Sequence, residues 1–355
     1  MSSKEAITNW ASKDGQFRRQ QSKFRNAVSN EQGSRFPVEK DRYHLYVSYA
    51  CPWAHRTLIV RALKGLEEII PVSVVHYEML EKGWRFVEEG ETVNGATKDH
   101  LYGLSHLRDL YFKADKEYDQ RFTVPVLWDK KQETIVNNES SEIMRLFNSA
   151  FDELLDGEQK KLNLLPEALL KDIDEINAWV YDGINNGVYK TGFATTQDAY
   201  ESNLIALFDA LNRVETLLAE SKGAYLLGDQ LTEADIRLYV TIVRFDPVYV
   251  QHFKCNLGNI RHNYPHINKW LKNLYWNNPA FKTTTEFEHI KKHYNLSHKQ
   301  ISPYSLYVLG PLPHVEPEDD GEVILKIGNV TLNNLNPAGE GNDKRHVLKH
   351  QEPSA

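Results

Sequence analysis

Apolar positions change their spacing twice along this 355-residue chain. The first forty residues are polar and have no sustained period, so we predict an extended arm, 1–40, that its few aromatic side chains pin to the globular body, with a flexible leader as the alternative. Between 41 and 150 short apolar runs alternate with amphipathic stretches, whereas from 165 to 313 apolar residues recur at helical spacing. The segment 151–164 is acidic and basic by turns and predicts a linker, and 314–355 forms a C-terminal extension.

The segment 41–150 has the pattern of an α/β domain. Residues 43–48 are mainly aromatic and β-branched, which is typical of a strand. Residues 52–64 place apolar side chains on one side and end at a glycine, as helices do. The nearly continuous apolar run 69–76 predicts a strand that is covered on both faces. Strand, helix and strand in this order predict a parallel β-α-β unit.

The remainder of this domain has a less regular pattern. The charged segment 78–120 is too long for an ordinary connection, so we predict one helix at 106–112 and a loop that carries Trp84. Residues 121–128 and 133–136 predict a hairpin, and a last helix follows it.

The second half of the chain predicts an all-helical domain. Thr232 and Asp235 have the spacing of a capping box, which we interpret as structural. The clearest predicted helices are 167–181, 197–220, 232–244 and 265–273. The extension at 314–355 has an acidic run and then two β-prone pieces, so a small hairpin and a disordered tail both stay open.

Composition excludes several classes of function. A net charge of −7 leaves no basic footprint for nucleic acid, and no apolar run approaches the roughly 18 residues of a membrane span. We therefore predict neither partner. Two cysteines are too few for a disulfide scaffold or a structural zinc site, and the fourteen histidines form no H-E-x-x-H pattern, so we predict no metal. Without a secretory signal we predict a cytoplasmic protein, with a mitochondrial transit segment at 13–25 as the alternative.

Candidate chemistry centres on Cys51, which lies between the first predicted strand and the first predicted helix. Proline suits a first helical position because it has no N–H to leave unpaired, and Pro52 follows the cysteine directly. Cys51 is therefore predicted at the N-cap, where free N–H groups and the helix dipole favour a thiolate. Such settings lower a thiol pKa from about 8.5 to roughly 3.5–7.5. The alternative is a buried structural cysteine, and Cys255, which lacks a comparable cap, is predicted to be inert.

The thiol chemistry needs a partner from outside the chain. A dithiol enzyme would carry a second cysteine where this chain has Ala54. Without that resolving cysteine, an external thiol must complete any disulfide exchange. We infer that glutathione is the co-substrate.

Seven spaced motifs resemble those of the glutathionyl-hydroquinone reductases, the xi class of glutathione transferases, whose fungal branch is also called omega-like. They are CPWAHRT at 51–57, KGWRF at 82–86, RFTVPVLW at 121–128, VNNESSE at 136–142, NGVYKTGFA at 186–194, RFDPVY at 244–249 and HY at 293–294. The resemblance runs from about Trp10 to about Pro313. It departs at Ser302, where the family usually has asparagine before the proline, and it leaves the C-terminal extension outside.

The resemblance implies the glutathione transferase fold, an α/β thioredoxin-like N-terminal domain that binds glutathione and an all-α C-terminal domain that binds the second substrate. It also implies a homodimer. Cys51 would be the nucleophile, faced by a cis-proline at position 125. The implied glutathione-binding residues are Trp84, Arg121, Val124, Glu139 and Ser140, and the implied hydroquinone-binding residues are Tyr189, Arg244 and Tyr294. Tyr249 is assigned neither role, and we expect His55 on a solvated helix face.

The resemblance implies a glutathione-dependent reduction of glutathionyl-hydroquinones. The Cys51 thiolate would attack the glutathione sulfur and release hydroquinone, and a second glutathione would resolve the mixed disulfide to oxidised glutathione. An omega-like thioltransferase that acts on mixed disulfides or dehydroascorbate is the alternative within the same fold. A non-catalytic interaction module is the alternative outside enzymology, and the retained Cys51 argues against it.

Overall fold

The computed structural model describes residues 14–317 and the backbone of three later strands, 323–327, 330–335 and 347–350. The predicted arm anchor Trp10 lies outside the described residues. An α/β part precedes residue 150, and a helical part follows it.

A four-stranded mixed sheet lies at the centre of the α/β part. The strands of this part are β1 (Tyr43–Val47), β2 (Val72–Val74), β3 (Met79–Leu80), β4 (Gly83–Trp84), β5 (Val126–Asp129) and β6 (Thr134–Asn137). The sheet order is β2-β1-β5-β6, and β3 pairs separately with β4. β1 runs parallel to β2 and antiparallel to β5, and every residue of β1 is buried. This arrangement confirms the predicted β-α-β unit and the thioredoxin-like class.

Three helices belong to the α/β part. They are α1 (Pro52–Leu63), α2 (Leu107–Ala114) and α3 (Ser140–Ser149). α1 packs against α3 within its own part and against the helical part on another side, so it is buried along much of its length. It ends where Gly65 adopts φ +63°, a left-handed conformation that glycine adopts at little cost.

The helical part follows from residue 157. Its helices are α4 (Gly157–Lys161), α5 (Leu170–Val180), α6 (Gly187–Gly192), α7 (Gln197–Glu220), α8 (Glu233–Arg244), α9 (Val250–His252), α10 (Ile260–Asn263), α11 (Pro265–Asn277), α12 (Pro279–Thr283) and α13 (Phe287–Ser297). Almost every residue of α8 is buried, and α8 packs on α1, α5 and α11, which makes it the central helix.

The predicted capping box of α8 is present, with Thr232 and Asp235 as the two partners. In the described part of the chain, none of the helices combines the length and the apolar character that crossing a bilayer needs.

Several boundaries differ from the prediction for physical reasons. The predicted linker 151–164 contains a short 3-10 turn and α4. The strand predicted from 121 begins only at Val126, because Pro125 has no N–H to donate to a neighbouring strand. α13 lies largely within the predicted all-helical region but is not one of the clearest predicted helices, because many of its buried positions are polar, such as His289, Lys291 and Asn295.

The arm lies across both parts of the molecule. Phe17 is buried and stacks on Tyr189 and Phe193, with ring centroids 5.9 and 5.8 Å apart. Farther along, the Asn26 N–H donates to the carbonyl of Val136 at the outer edge of the sheet. The described arm aromatics therefore do pin the arm to the body.

The extension contains three strands. They are β7 (Val323–Ile327), β8 (Val330–Leu335) and β9 (Val347–His350), and they pair antiparallel in that order. Of the two alternatives left open for this region, the hairpin is present as β7-β8, and the third strand is an addition to it.

Candidate active site

Cys51 occupies the N-cap of α1, as the sequence predicts. Its backbone is extended, with φ −77° and ψ 121°, and Pro52 is the first helical residue. The thiol sulfur lies 3.7 Å from the carbonyl oxygen of Val124, and the Val124–Pro125 peptide bond is cis. Cys51 and the expected cis-proline loop therefore face each other.

The electrostatic setting of Cys51 differs from the expectation. Burial has the largest influence and raises the pKa of the Cys51 thiol. Backbone N–H groups of Trp53 and Ala54 oppose that rise, as do the positive charges of Arg244 and Arg19. The prediction that the N-cap setting lowers this pKa is wrong, because desolvation of the thiolate exceeds the favourable contribution of the N–H groups.

This setting predicts the pH dependence of Cys51 alkylation. Because the thiolate is the reactive form and its pKa is raised, the alkylation rate should still be climbing at pH values where an ordinary thiol, of pKa about 8.5, has levelled off. Iodoacetamide labelling of the native protein, followed by mass spectrometry across a pH series, measures this rate. The same series on the urea-unfolded chain is the control. A plateau below neutral pH in the native protein would contradict the prediction.

A cavity of about 320 Å³ opens beside Cys51, where the α/β part, the helical part and the arm meet. Its volume is in the range of small-molecule sites. Eight of the nine predicted site residues line it, namely Cys51, Trp84, Arg121, Val124, Glu139, Ser140, Tyr189 and Tyr294. Arg244 is not one of the lining residues.

One wall of the cavity has the polar groups that a peptide end needs. Glu139 is the N-cap of α3, and its carboxylate accepts hydrogen bonds from the Ser141 N–H and hydroxyl, at 3.2 and 3.0 Å. The Ser22 hydroxyl of the arm donates to the same carboxylate at 3.1 Å. The free N–H groups of a helix start suit a carboxylate, and the Glu139 side chain suits an ammonium. The wall can thus bind a zwitterionic α-amino acid group.

The opposite wall is aromatic and carries phenol hydroxyls. The Tyr189 and Tyr294 hydroxyls lie 2.7 Å apart, and Tyr249 reaches Tyr294 from behind at 2.9 Å. Burial raises the pKa of all three phenols, so they stay protonated at neutral pH. A protonated phenol both donates and accepts, so Tyr189 and Tyr294 can bind the hydroxyl or the oxyanion of an aromatic ligand. Tyr249, to which the sequence assigns no role, holds the pair in place.

Arg244, which the resemblance implies as a hydroquinone-binding residue, is not among the side chains that line the cavity. Its fully buried guanidinium donates to the carbonyls of Tyr49 and Ala50, both at 3.1 Å, and of Val240 at 2.7 Å. Arg244 therefore joins the loop before Cys51 to α8. The neighbouring Asp246 pairs with Arg261.

His55 is also placed differently from the expectation. It is fully buried between the two parts, and Arg244 donates to its Nδ1 at 3.0 Å. Because Nδ1 accepts this bond, the ring proton is on Nε2, which lies 3.0 Å from the Thr284 hydroxyl. Burial lowers the pKa of His55, so the ring is neutral. The pattern of α1 gave no sign of this, since its buried face carries charged residues as well as apolar ones.

Several lining residues were missed by the sequence analysis. The arm contributes Phe17, Arg19 and Ser22, and the helical part contributes His293 and His298. Trp84 stacks on His293 at 4.7 Å, and burial lowers the pKa of His293 to about 4, so this partner is neutral. The aromatic Phe17 was the available signal, because a buried side chain in a polar arm marks where the arm touches the body. Among residues 14–317 and the described strands, no cluster of side chains has the composition of a metal site.

A partly buried cysteine at the start of the first helix of a thioredoxin-like domain, beside a cavity that a helical domain closes, defines a thiol-dependent glutathione transferase fold. Comparison with known proteins agrees. The glutathione S-transferase N-terminal domain family matches residues 50–150, and the glutathione S-transferase C-terminal domain family matches residues 197–273.

Three similar proteins indicate the subgroup of this family to which the chain is related. It is 62% identical to glutathione S-transferase omega-like 2 of Schizosaccharomyces pombe, over 87% of this chain and 98% of that protein. It is 51% identical to glutathionyl-hydroquinone reductase YqjG of Escherichia coli, over 84% of this chain and 89% of that protein. It superposes with a TM-score of 0.81 on the xi glutathione transferase ECM4 of Saccharomyces cerevisiae in complex with glutathione. The two sequences are 48% identical, and the match covers 84% of this chain and 100% of that one. The chain belongs to the glutathione S-transferase family, in the group of its xi and omega-like members.

Proposed function

We propose that this protein reduces glutathionyl-hydroquinones to hydroquinones with glutathione as the reductant. The observation that carries the proposal is the joint placement of Cys51 and the Tyr189–Tyr294 hydroxyl pair on one cavity. Relatives named glutathionyl-hydroquinone reductase support it, and a glutathione-bound xi transferase supports glutathione as the co-substrate.

The first half-reaction forms a mixed disulfide. The glutathionyl part would lie along the wall of Trp84, Val124 and Glu139, with its α-amino acid end at the start of α3. Its sulfur would then lie beside Cys51, and the thiolate would attack it. The S–S bond forms as the bond between sulfur and the ring carbon breaks, and the ring carbon gains a proton.

The second half-reaction returns the enzyme to its starting state. A second glutathione thiolate attacks the glutathionyl sulfur of the mixed disulfide, which gives oxidised glutathione and frees the Cys51 thiolate. Overall, one glutathionyl-hydroquinone and one glutathione give one hydroquinone and one oxidised glutathione. Ala54 in the C-x-x-C position fits this course, because the chain has no thiol there to compete with the second glutathione.

A side-by-side rate comparison tests the proposal. The wild-type protein is assayed with glutathionyl-menadiol, hydroxyethyl disulfide and dehydroascorbate under the same conditions. We expect the largest kcat/KM with glutathionyl-menadiol. Turnover of the disulfide or of dehydroascorbate without turnover of glutathionyl-menadiol would overturn the proposal in favour of a general thioltransferase.

Replacement of the cavity phenols tests how the quinol is held. Tyr189→Phe and Tyr294→Phe should each lower kcat/KM for glutathionyl-menadiol by about 5- to 10-fold, the worth of one hydrogen bond of about 1–1.5 kcal/mol. Steady-state kinetics with hydroxyethyl disulfide, which has no phenolic oxygen, should change less. Tyr304→Phe is the control, because Tyr304 is 86% exposed. Equal rates for the cavity variants and the control would contradict the assignment.

We also keep the expectations of a homodimer and of a cytoplasmic location as proposals. Leu306 and Leu309 expose large apolar side chains on the segment after α13, and in the proposed homodimer a second copy of the chain covers them.

A further inference from the structure

Arg19 of the arm carries a positive charge into the aromatic side of the cavity. Its guanidinium centre lies 4.3 Å from the ring centroid of Trp53 and 5.3 Å from those of Tyr189 and Phe17. Its Nε donates to the Asn186 side-chain oxygen at 2.9 Å. Stacking and one hydrogen bond thus fix the plane of the guanidinium beside the quinol-side residues.

Arg19 differs from the other cations of the arm. Arg18, Lys23 and Arg25 each form an ion pair with a carboxylate. Among residues 14–317, Arg19 has no carboxylate partner, and its terminal nitrogens have no hydrogen-bond partner. A guanidinium presents its terminal N–H groups as a fork that matches an anionic oxygen. The surrounding rings keep the local dielectric low, which strengthens such an interaction.

The proposed reaction generates an anion that disulfide exchange does not. A proton moves from a quinol hydroxyl to the ring carbon that carries the sulfur, which gives the keto tautomer. When the Cys51 thiolate attacks the glutathione sulfur, the electron pair of the breaking carbon–sulfur bond moves through the ring to the carbonyl oxygen. The product is a phenolate, which then takes a proton from solvent. With a simple disulfide the leaving electron pair stays on sulfur.

We propose that Arg19 binds this phenolate oxygen and stabilises it as the bond between carbon and sulfur breaks. The inference rests on the proposed function and adds a catalytic residue to it. Arg19 stands next to Tyr189, so the guanidinium and the Tyr189–Tyr294 hydroxyls together form an oxyanion site. The arm is then part of the active site, and the site favours aromatic substrates whose departing group carries its charge on oxygen.

Arg19→Gln tests the assignment with two substrates. We expect kcat/KM for glutathionyl-menadiol to fall by about 10- to 100-fold, the usual range when one oxyanion donor is lost. We expect a clearly smaller loss with hydroxyethyl disulfide. The ratio of the two losses is the informative quantity, because any effect on the ionisation of Cys51 is common to both substrates and cancels. Arg18→Gln is the matched control, since it removes a charge from the adjacent, exposed position of the arm.

A substrate series gives a second readout that a structural role would not change. Glutathionyl-hydroquinones with electron-withdrawing ring substituents release more stable phenolates. In Arg19→Gln the turnover rate should depend more steeply on the pKa of the released phenol than in wild type. Without the guanidinium, the substituted ring alone must stabilise the negative charge of the phenolate. Arg19→Lys should restore part of the rate and part of the shallow dependence.

The outcomes separate this inference from the proposed function. If wild type does not turn over glutathionyl-menadiol, the proposed function fails, whatever Arg19 does. If wild type does and Arg19→Gln loses equally on both substrates, Arg19 only holds the arm or tunes Cys51, and the inference is overturned. A rise in KM for glutathione that is equal in both assays would place Arg19 on the glutathione carboxylates, which also overturns it.

Discussion

Cys51→Ala is expected to lose deglutathionylation almost completely, with kcat/KM for glutathionyl-menadiol down on the order of 10³-fold or more. No other group described around the cavity can form the covalent intermediate. The proposed glutathione-binding residues Trp84, Val124 and Glu139 are unchanged in this variant, so a fluorescence titration should show glutathione binding retained. Loss of turnover with binding intact is the signature of a missing nucleophile.

Cys255→Ala is the control for that variant. Cys255 is fully buried, and burial raises the pKa of its thiol, so this core residue stays a protonated, unreactive thiol. The substitution should leave the rate close to that of wild type and cost only some stability. A Cys51→Ala enzyme that still turns over glutathionyl-menadiol, or a Cys255→Ala enzyme that loses turnover while folded, would be incompatible with the mechanism.

Arg244→Met is expected to produce the largest loss of stability, about 3–5 kcal/mol, because several buried acceptors would each be left unsatisfied at a cost of about 1–3 kcal/mol. The carbonyls of Tyr49, Ala50 and Val240 would lose their donor where no water can replace it. His55 would also lose the bond that fixes its tautomer. Because these groups join the loop before Cys51 to α8, the loss should extend to activity.

Urea unfolding at equilibrium measures this loss. Arg213→Met is the matched control, since the Arg213 side chain is 55% exposed and its ion pair with Glu175 is long, at 3.8 Å. That change should cost less than about 1 kcal/mol. Arg244→Lys should lie between, because one ammonium cannot reach all the acceptors of a guanidinium fork. An Arg244→Met protein as stable as the Arg213→Met protein would show that Arg244 does not hold the two parts together.

The features that the sequence predicts correctly depend on neighbours in the chain. Cys51 at an N-cap follows from the proline next to it, and the capping box of Thr232 and Asp235 follows from their spacing. The resemblance added Trp84, Glu139 and the tyrosine pair by their motifs. These residues do line one cavity.

The features that the sequence analysis misses depend on contacts between distant segments. His55 and Arg244 are 189 positions apart, and only the packing of α1 on α8 makes them partners in the core. The motif at 244–249 implies a substrate role for Arg244, whereas only the structure shows its bonds to the carbonyls of the loop before Cys51. Arg19 lies in an arm without periodicity, so its place in the cavity follows from the anchoring of Phe17 and not from any local pattern.

The pKa of Cys51 also depends on contacts between distant segments. The N–H groups at a helix start are readable from the sequence, but the depth at which the helix is buried is not. Desolvation therefore outweighs the cap, and two arginines from other segments, Arg19 and Arg244, take part in opposing it.

The most direct test is the intact mass of the protein after brief incubation with glutathionyl-menadiol in the absence of free glutathione. The mechanism predicts one glutathione per chain, located on Cys51 by peptide mapping and removed by added glutathione. Release of menadiol should match it in amount. Release of menadiol without an adduct on Cys51, or an adduct confined to another residue, would contradict the mixed-disulfide mechanism.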